Sequence, residues 1–168
     1  MRSLRLKSFR LKNFKAVRDS GEVCFTPLTV FIGNNGSGKS SLIEGLKAFR
    51  DVSSDDLVEV MQGWHGYENI RYQGVSGRLV APGKTRTKIP KYENPISFEA
   101  TGRYDYGLFK AKMEVGLGAD RYPIISREEI RVGREVEFTR DARGVVRFKG
   151  KAPSEFGSVN IQPSIRMD

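Results

Sequence analysis

The chain has 168 residues, 38% hydrophobic and 29% charged, a composition typical of a folded globular domain rather than a disordered segment. No apolar run approaches the roughly 20 residues that cross a bilayer, and the basic N-terminus lacks the apolar centre of a signal peptide, so we expect a cytoplasmic protein. The net charge of +9 favours polyanionic partners, nucleic acid first, although it also suits a triphosphate ligand. A single cysteine, Cys24, excludes an internal disulfide, and its apolar neighbours predict that it is buried.

The first 32 residues predict three β-strands. Apolar residues alternate over positions 4–16, but the alternation changes parity between Leu6 and Phe9, which predicts one long strand with a bulge or two short strands. A turn at 19–21 leads into a second strand at 22–26. Residues 28–32 form a nearly continuous apolar run, which predicts a strand buried on both faces.

A phosphate-binding loop follows this third strand. Residues 33–40 match G-x-x-x-x-G-K-[ST], a motif whose glycines let backbone N–H groups surround a polyphosphate while the lysine reaches the β- and γ-phosphates. We therefore predict that the loop binds ATP and that the hydroxyl of Ser40 is a ligand of Mg²⁺. The predicted nucleotide-binding residues are Gly33, Asn34, Asn35, Gly36, Ser37, Gly38, Lys39, Ser40 and Ser41.

A helix over residues 39–50 continues directly from the loop, so its N–H groups and dipole point at the bound anion. Its predicted apolar face consists of Leu42, Ile43, Leu46 and Phe49, with Glu44 and Lys47 turned outward. Residues 51–56 are a polar break, and residues 55–61 predict one or two further helical turns.

The second half of the chain has a different pattern. Residues 62–94 are rich in Gly, Pro, Lys and Arg, whereas from Pro95 onward short alternating segments predict an antiparallel meander of four or five strands with a turn at 141–144. This pattern is not an alternating βαβ array. We predict a mixed α/β fold of the P-loop NTPase class, in which a P-loop strand and helix join an antiparallel β-subdomain.

Residues 11–17 and 28–46 resemble the N-terminus of ABC-type ATPase heads of the SMC, RecF and OLD group of AAA family ATPases. Within this region, residues 33–40 match the short form G-x-N-G-x-G-K-S, and the meander at 107–150 resembles the antiparallel subdomain of the first lobe of such heads. The resemblance implies a cytoplasmic ATPase in which two heads, as a homodimer or higher oligomer, enclose ATP. It also implies a role in DNA repair, chromosome organisation or defence against phage.

Two motifs of the family are absent from the sequence. The chain has neither a Walker B element, four apolar residues followed by Asp-Glu, nor a Leu-Ser-Gly-Gly signature. Glu128 and Glu129 do not substitute, because in a strand they would face opposite sides. We therefore expect residues 1–168 to be an incomplete ATPase domain, the first lobe of a head. A second lobe would supply the signature, the catalytic carboxylate and the switch histidine, so we assign no catalytic residue and expect the isolated segment to be inactive.

Several further candidates have two interpretations. The resemblance places Lys12, Asn13 and Lys15 near the base and ribose, but they also suit a solvated strand edge. Trp64 and Tyr67 could stack on a base or pack against the sheet. His65 has no metal-ligand spacing and is interpreted as structural. The family's γ-phosphate-sensing glutamine corresponds best to Gln162, with Gln62 and Gln73 as alternatives, and for each an ordinary surface glutamine is the simpler interpretation.

Two functions remain open at this stage. The first is an ATPase head segment that binds MgATP and hydrolyses it only together with a second lobe. The second is a nucleotide-responsive module that binds DNA without hydrolysis. A DNA-binding face would draw on two basic groups. These are Arg2, Arg5, Lys7, Arg10, Lys12, Lys15 and Arg18 near the first strand, and Lys84, Arg86, Lys88 and Lys91 in a loop that also suits a solvated surface.

Overall fold

The structure is a computed structural model that describes residues 5–74, 79–80, 91–92, 94–104, 107–133 and 136–150. The helices are α1 (Lys39–Ser54), α2 (Leu57–Gly63) and α3 (Tyr67–Ile70). The strands are β1 (Arg5–Phe14), β2 (Val17–Asp19), β3 (Val23–Cys24), β4 (Leu79–Val80), β5 (Lys91–Tyr92), β6 (Ile96–Tyr104), β7 (Gly107–Leu117), β8 (Pro123–Val132), β9 (Val136–Asp141) and β10 (Val146–Lys149). None of the helices described is long and apolar enough to cross a membrane.

One large antiparallel sheet organises the fold. Its strand order is β10-β9-β8-β7-β6-β1-β2, and β3 also pairs with β1. The strands β6 to β10 form the meander that the sequence predicts. In the β9–β10 turn, the carboxylate of Asp141 accepts hydrogen bonds from the N–H groups of Arg143 and Val145, which fixes the predicted turn at 141–144. The mixed α/β class with an antiparallel subdomain is confirmed.

The parity change in β1 is a bulge within one strand. The register between β1 and β6 shifts between Leu6 and Ser8, so Leu6 and Phe9 both face the helices although they are three positions apart. Ser8 points to the other face and shares a hydrogen bond with Thr101 at 2.6 Å. Of the two alternatives left by the sequence, the single long strand is correct.

The core lies between this sheet and the helices. The rings of Phe9, Phe49 and Phe98 pack with centroids 5.7–6.4 Å apart. Helix α1 crosses β1 at Gly45, where an added Cβ atom would lie 2.3 Å from a methyl carbon of Leu11. Glycine at this position lets the helix backbone approach the sheet closely. The contact therefore fixes the position of α1 over the sheet.

The two neighbouring glutamates of β8 face opposite sides of the sheet, as predicted. Glu128 is buried on the helix side and accepts hydrogen bonds from Arg140 at 2.8 and 2.5 Å. Glu129 lies on the outer face, where it pairs with Arg127 at 3.0 Å and with Arg131 at 2.9 Å. Both glutamates are therefore bound in structural ion pairs.

The predicted buried strand at 28–32 is wrong. The structure assigns no strand to this segment, and the side chains of Leu28, Val30 and Ile32 are 82%, 68% and 90% exposed, while Phe31 packs against the core. The reason is the absence of a neighbour, because no strand in the described part of the chain pairs with residues 28–32. These three side chains are called the apolar strip below.

Three smaller predictions also change. Ile43 is 55% exposed rather than part of the buried face of α1. The second strand shortens to β3, in which Val23 points inward and Cys24 outward, so Cys24 is exposed and its predicted burial is wrong. Helix α1 continues through the predicted break to Ser54, and the predicted turns at 55–61 are α2, whose N-cap Asp56 accepts hydrogen bonds from the N–H groups of Val58 and Glu59.

Candidate nucleotide-binding site

The predicted phosphate loop is an exposed turn that leads into α1. Residues 32–37 are all exposed, and the backbone passes through positive φ at Gly36 (82°) and Gly38 (89°), a region that glycine adopts without strain. Gly38 is the N-cap of α1, and its carbonyl accepts the first helical hydrogen bond, from the N–H of Leu42 at 2.9 Å. The glycines thus allow the loop to fold back over the start of the helix.

The side chain of Lys39 lies within this loop. Its ammonium donates hydrogen bonds to the carbonyl oxygens of Gly33 and Asn34, both at 2.7 Å, and to the hydroxyl of Ser37 at 3.3 Å. All three acceptors belong to the loop itself. The positive charge is therefore held within the loop.

The N-terminus of α1 has no side-chain cap among the residues that the structure describes. Gly38 provides no side-chain cap, and the first turn of the helix contains no acidic residue. The first N–H groups of a helix lack partners within the helix, and the helix dipole places a partial positive charge on them. A helix start without a side-chain cap, next to a lysine, suits an anion.

Ser40 is the one predicted metal ligand. It is exposed in the first turn of α1, and its hydroxyl has no hydrogen-bond partner among the residues described. Mg²⁺ prefers oxygen ligands and commonly takes one or two from the protein, with the rest from water and substrate phosphates. A free serine hydroxyl beside a phosphate loop fits this requirement, and it would hold Mg²⁺ on the phosphates of a bound nucleotide.

A family comparison identifies the domain that contains this loop. The AAA ATPase domain model matches residues 4–102, more than half of the chain, from β1 through the phosphate loop into β6. The chain belongs to the AAA ATPase domain family. The match supports a nucleotide-binding ATPase domain. No curated protein and no solved structure matches the chain.

The β1–β2 hairpin forms one wall of the loop in this AAA ATPase domain. Phe14 pairs with Val17 across a two-residue connection, and a Cβ atom added at Gly38 would lie 3.1 Å from a methyl carbon of Val17. Val17 is buried, so the hairpin fixes the side of the loop at the start of α1. Sequence reasoning missed this contact, because no pattern links residue 17 to residue 38.

The basic residues of β1 are partly neutralised by carboxylates. Arg10 makes two hydrogen bonds to Asp19, at 2.9 and 2.7 Å, and Lys12 lies 3.9 Å from the same carboxylate. The hydrogen bonds from Arg10 lower the pKa of Asp19 to about 2. Lys15 pairs with Glu44 at 2.7 Å, and the amide of Asn13 donates to the Pro95 carbonyl at 3.0 Å. Each of these side chains therefore has a protein partner in the structure.

The aromatic candidates pack against the body of the AAA ATPase domain. Trp64 is half-buried with its ring edge-on to Phe14, and Tyr67 is buried with its hydroxyl donating to the carbonyl of Val115. His65 is exposed, and the described residues contain no group of three or more metal-binding side chains. Trp64 and Tyr67 are thus packing residues, which was the plainer of the two interpretations.

The candidate glutamines and the basic residues at 84–91 add no contact to the loop at 33–41 in the part of the chain that the structure describes. Gln62 is exposed on α2, and the amide of Gln73 donates to the carbonyl of Glu68 at 2.6 Å. Gln162 lies outside the described residues, as do Lys84, Arg86 and Lys88, and the side chain of Lys91 is likewise not described.

Proposed function

We propose that this chain is the MgATP-binding first lobe of an ABC-type ATPase head of the SMC, RecF and OLD kind. The observation that carries the proposal is the start of α1, where an uncapped helix N-terminus opens onto an exposed glycine loop that already holds the ammonium of Lys39. Residues Gly33 to Ser41 bind the triphosphate, and Ser40 binds its Mg²⁺. Lys39 exchanges its loop carbonyls for phosphate oxygens when the nucleotide enters.

Hydrolysis in this proposal requires a second lobe. The chain lacks a Walker B carboxylate and a signature motif, and the apolar strip beside the loop is exposed to solvent. Leu28, Val30 and Ile32 are exposed and alternate with the less exposed Thr29 and Phe31, which is the period expected of a strand whose neighbour is missing. A second lobe that covers the strip would bring the missing groups to the loop. Two such heads would then enclose ATP, in DNA repair or in defence against phage.

Titration calorimetry with MgATP tests the binding step. We expect Lys39→Ala to weaken binding by about 10- to 100-fold, because a charged hydrogen-bond donor to the phosphates is lost. Lys47→Ala is the matched control, since Lys47 is exposed on the same helix and its ammonium lies near Trp64 instead of the loop. Equal affinity of Lys39→Ala and the unaltered chain would show that the loop is not the site.

The hydrolysis step has its own test. Phosphate release by the 168-residue chain should stay at background, because no carboxylate of a Walker B element is available to orient water. Rapid turnover that disappears in Lys39→Ala would contradict the need for a second lobe.

The alternative function, nucleotide-responsive DNA binding, is supported by the net charge of +9 and by the exposure of Arg5, Lys7 and Arg18. Arg10, Lys12 and Lys15 are paired with carboxylates. A DNA-binding groove would therefore depend on the three exposed residues Arg5, Lys7 and Arg18 and on the segment with Lys84, Arg86 and Lys88. Sequence-independent binding should then weaken steeply with salt. The test is charge reversal of Lys84, Arg86 and Lys88, followed by an anisotropy titration with DNA at several salt concentrations. An unchanged salt dependence of the affinity would exclude this segment as a DNA contact.

A further inference from the structure

Lys15 connects the β1–β2 hairpin to the helical layer. It occupies the hairpin connection with a φ of 46°, and its N–H donates to the carbonyl of Ile70, at the end of α3, at 2.7 Å. A positive φ is uncommon for a residue with a side chain, so the surrounding contacts must hold it in place. The backbone bond to Ile70 is the first of these contacts.

The side chain of Lys15 supplies two more contacts. Its ammonium lies 2.7 Å from a carboxylate oxygen of Glu44 on α1 and 4.8 Å from the ring centroid of Trp64, which follows α2. Both are attractive for a cation, by charge and by the aromatic quadrupole. The side chains of Lys15 and Glu44 are 30% and 40% exposed, so solvent screens the pair in part and its contribution is modest. One residue thereby fastens the hairpin to α1, the helix that begins at the phosphate loop.

Val17 links the position of the hairpin to the phosphate loop. Val17 is two residues from Lys15 and is paired with Phe14, so its position follows that of the hairpin. Its methyl group is the atom that an added Cβ at Gly38 would meet at 3.1 Å. A hairpin that lifts away from α1 would remove this wall and leave the N-cap of the helix less constrained.

We propose that Lys15 is a positioning residue for nucleotide binding. Its ion pair with Glu44 and its contact with the ring of Trp64 hold the hairpin against α1. Val17 then keeps Gly38 in the conformation that binds phosphate. The inference rests on the proposed nucleotide site at 33–41. Lys15 acts through the hairpin, not by touching the phosphates, because its ammonium is already directed at Glu44 and Trp64.

The test uses MgATP titration calorimetry and thermal unfolding on four single variants of the chain and on the double variant Lys15→Met with Glu44→Gln. Lys15→Met keeps the apolar stem on Trp64 and removes the charge, whereas Glu44→Gln breaks the same pair from the helix side. Lys15→Arg keeps the charge and provides the rescue. Asp19→Asn is the matched control, because it breaks another ion pair of the same hairpin, with Arg10, and Asp19 is outside the proposed site.

We expect Lys15→Met and Glu44→Gln each to weaken MgATP binding by about two- to fivefold, the range of a partly exposed ion pair. The double variant should be no weaker than either single one, because both remove one interaction. Lys15→Arg and Asp19→Asn should bind within twofold of the unaltered chain.

Three results would overturn the inference while the unaltered chain still binds MgATP. Unchanged affinity in Glu44→Gln with weakened affinity in Lys15→Met would mean that Lys15 touches the nucleotide itself. Equal weakening in Asp19→Asn would mean a general loss of stability. Unchanged affinity in both Lys15→Met and Glu44→Gln would mean that the Lys15–Glu44 pair has no influence on binding. Glu44→Gln gives this answer even if Lys15→Met does not fold. Absence of binding by the unaltered chain would instead overturn the proposed function.

Discussion

The sheet core and the segment that leads into the phosphate loop use similar side chains with opposite results. In the core, Phe9 and Phe98 are fully buried between the sheet and α1. In the apolar strip, Val30 and Ile32 are largely exposed although the sequence pattern is at least as apolar. The difference lies in the neighbours: β1 has strands on both sides, whereas residues 28–32 have none among the described residues. Burial of an apolar residue thus depends on which strands and helices cover it. An apolar sequence pattern alone shows only that the segment can be buried.

The largest expected effect is in the core. Phe98→Ala should lower the free energy of unfolding by about 3–5 kcal/mol, because it removes a buried ring that packs against Phe9, Phe14 and Phe49. Urea unfolding followed by circular dichroism measures the change. The comparison is Ile32→Ala, which should stay within about 0.5 kcal/mol of the unaltered chain. A similar loss in both variants would show that the strip is buried in solution.

The next effect concerns the buried ion pair at the far end of the sheet. Arg140→Met should cost about 2–3 kcal/mol, because Glu128 would stay buried without its partner. Arg147→Met, on the neighbouring strand β10 where the side chain is exposed, is the control. The two urea midpoints should differ clearly. Replacing Glu128 and Arg140 together by Met should recover most of the loss, and no recovery would contradict the role of the unpaired charge.

A smaller effect is expected at the β1–β2 hairpin, which borders both regions. The pKa of Asp19 is lowered by Arg10 from 3.8 to about 2 in the folded chain, so its stabilising contribution is complete above pH 4 and disappears as the pH falls through 2. Asp19→Asn should therefore lower the melting temperature at pH 7 by less than about 4 °C, because the pair is exposed. The difference from the unaltered chain should shrink below pH 4 and vanish below pH 2. A difference that persists there would exclude ionisation of Asp19 as its cause.

The smallest expected effect is in the apolar strip itself. Val30→Thr combined with Ile32→Thr should change the free energy of unfolding of this chain by less than about 0.5 kcal/mol, because both side chains are already exposed. The same double variant should reduce concentration-dependent light scattering, since exposed apolar patches promote association. A clear loss of stability would contradict the exposed arrangement of residues 28–32.

Local patterns predicted local structure well. The parity change between Leu6 and Phe9 predicted either a bulge or a break, and the structure has the bulge. The residues at 141–144 predicted the turn found there, because a tight turn depends on neighbours in sequence. The exposure of Ile32 and Ile43 was not predictable, because it depends on which elements cover them. The Lys15–Glu44 pair is 29 residues apart in the chain and has no sequence signature. The glycine loop was recognisable from its motif, but the wall that Val17 provides was not.

The strand order also determines when the fold can close. Strand β1 pairs on one edge with β2 and β3, which follow it closely, but its other edge pairs with β6, so that Ser8 meets Thr101, 93 residues later. Pairings across such long separations are slow to form, and chains are synthesised at about 5–20 residues per second. At this rate of synthesis, the edge of β1 that joins β6 stays unpaired for roughly 5–20 seconds after β1 is made. During synthesis, the helix that carries the phosphate loop is complete well before the sheet that supports it.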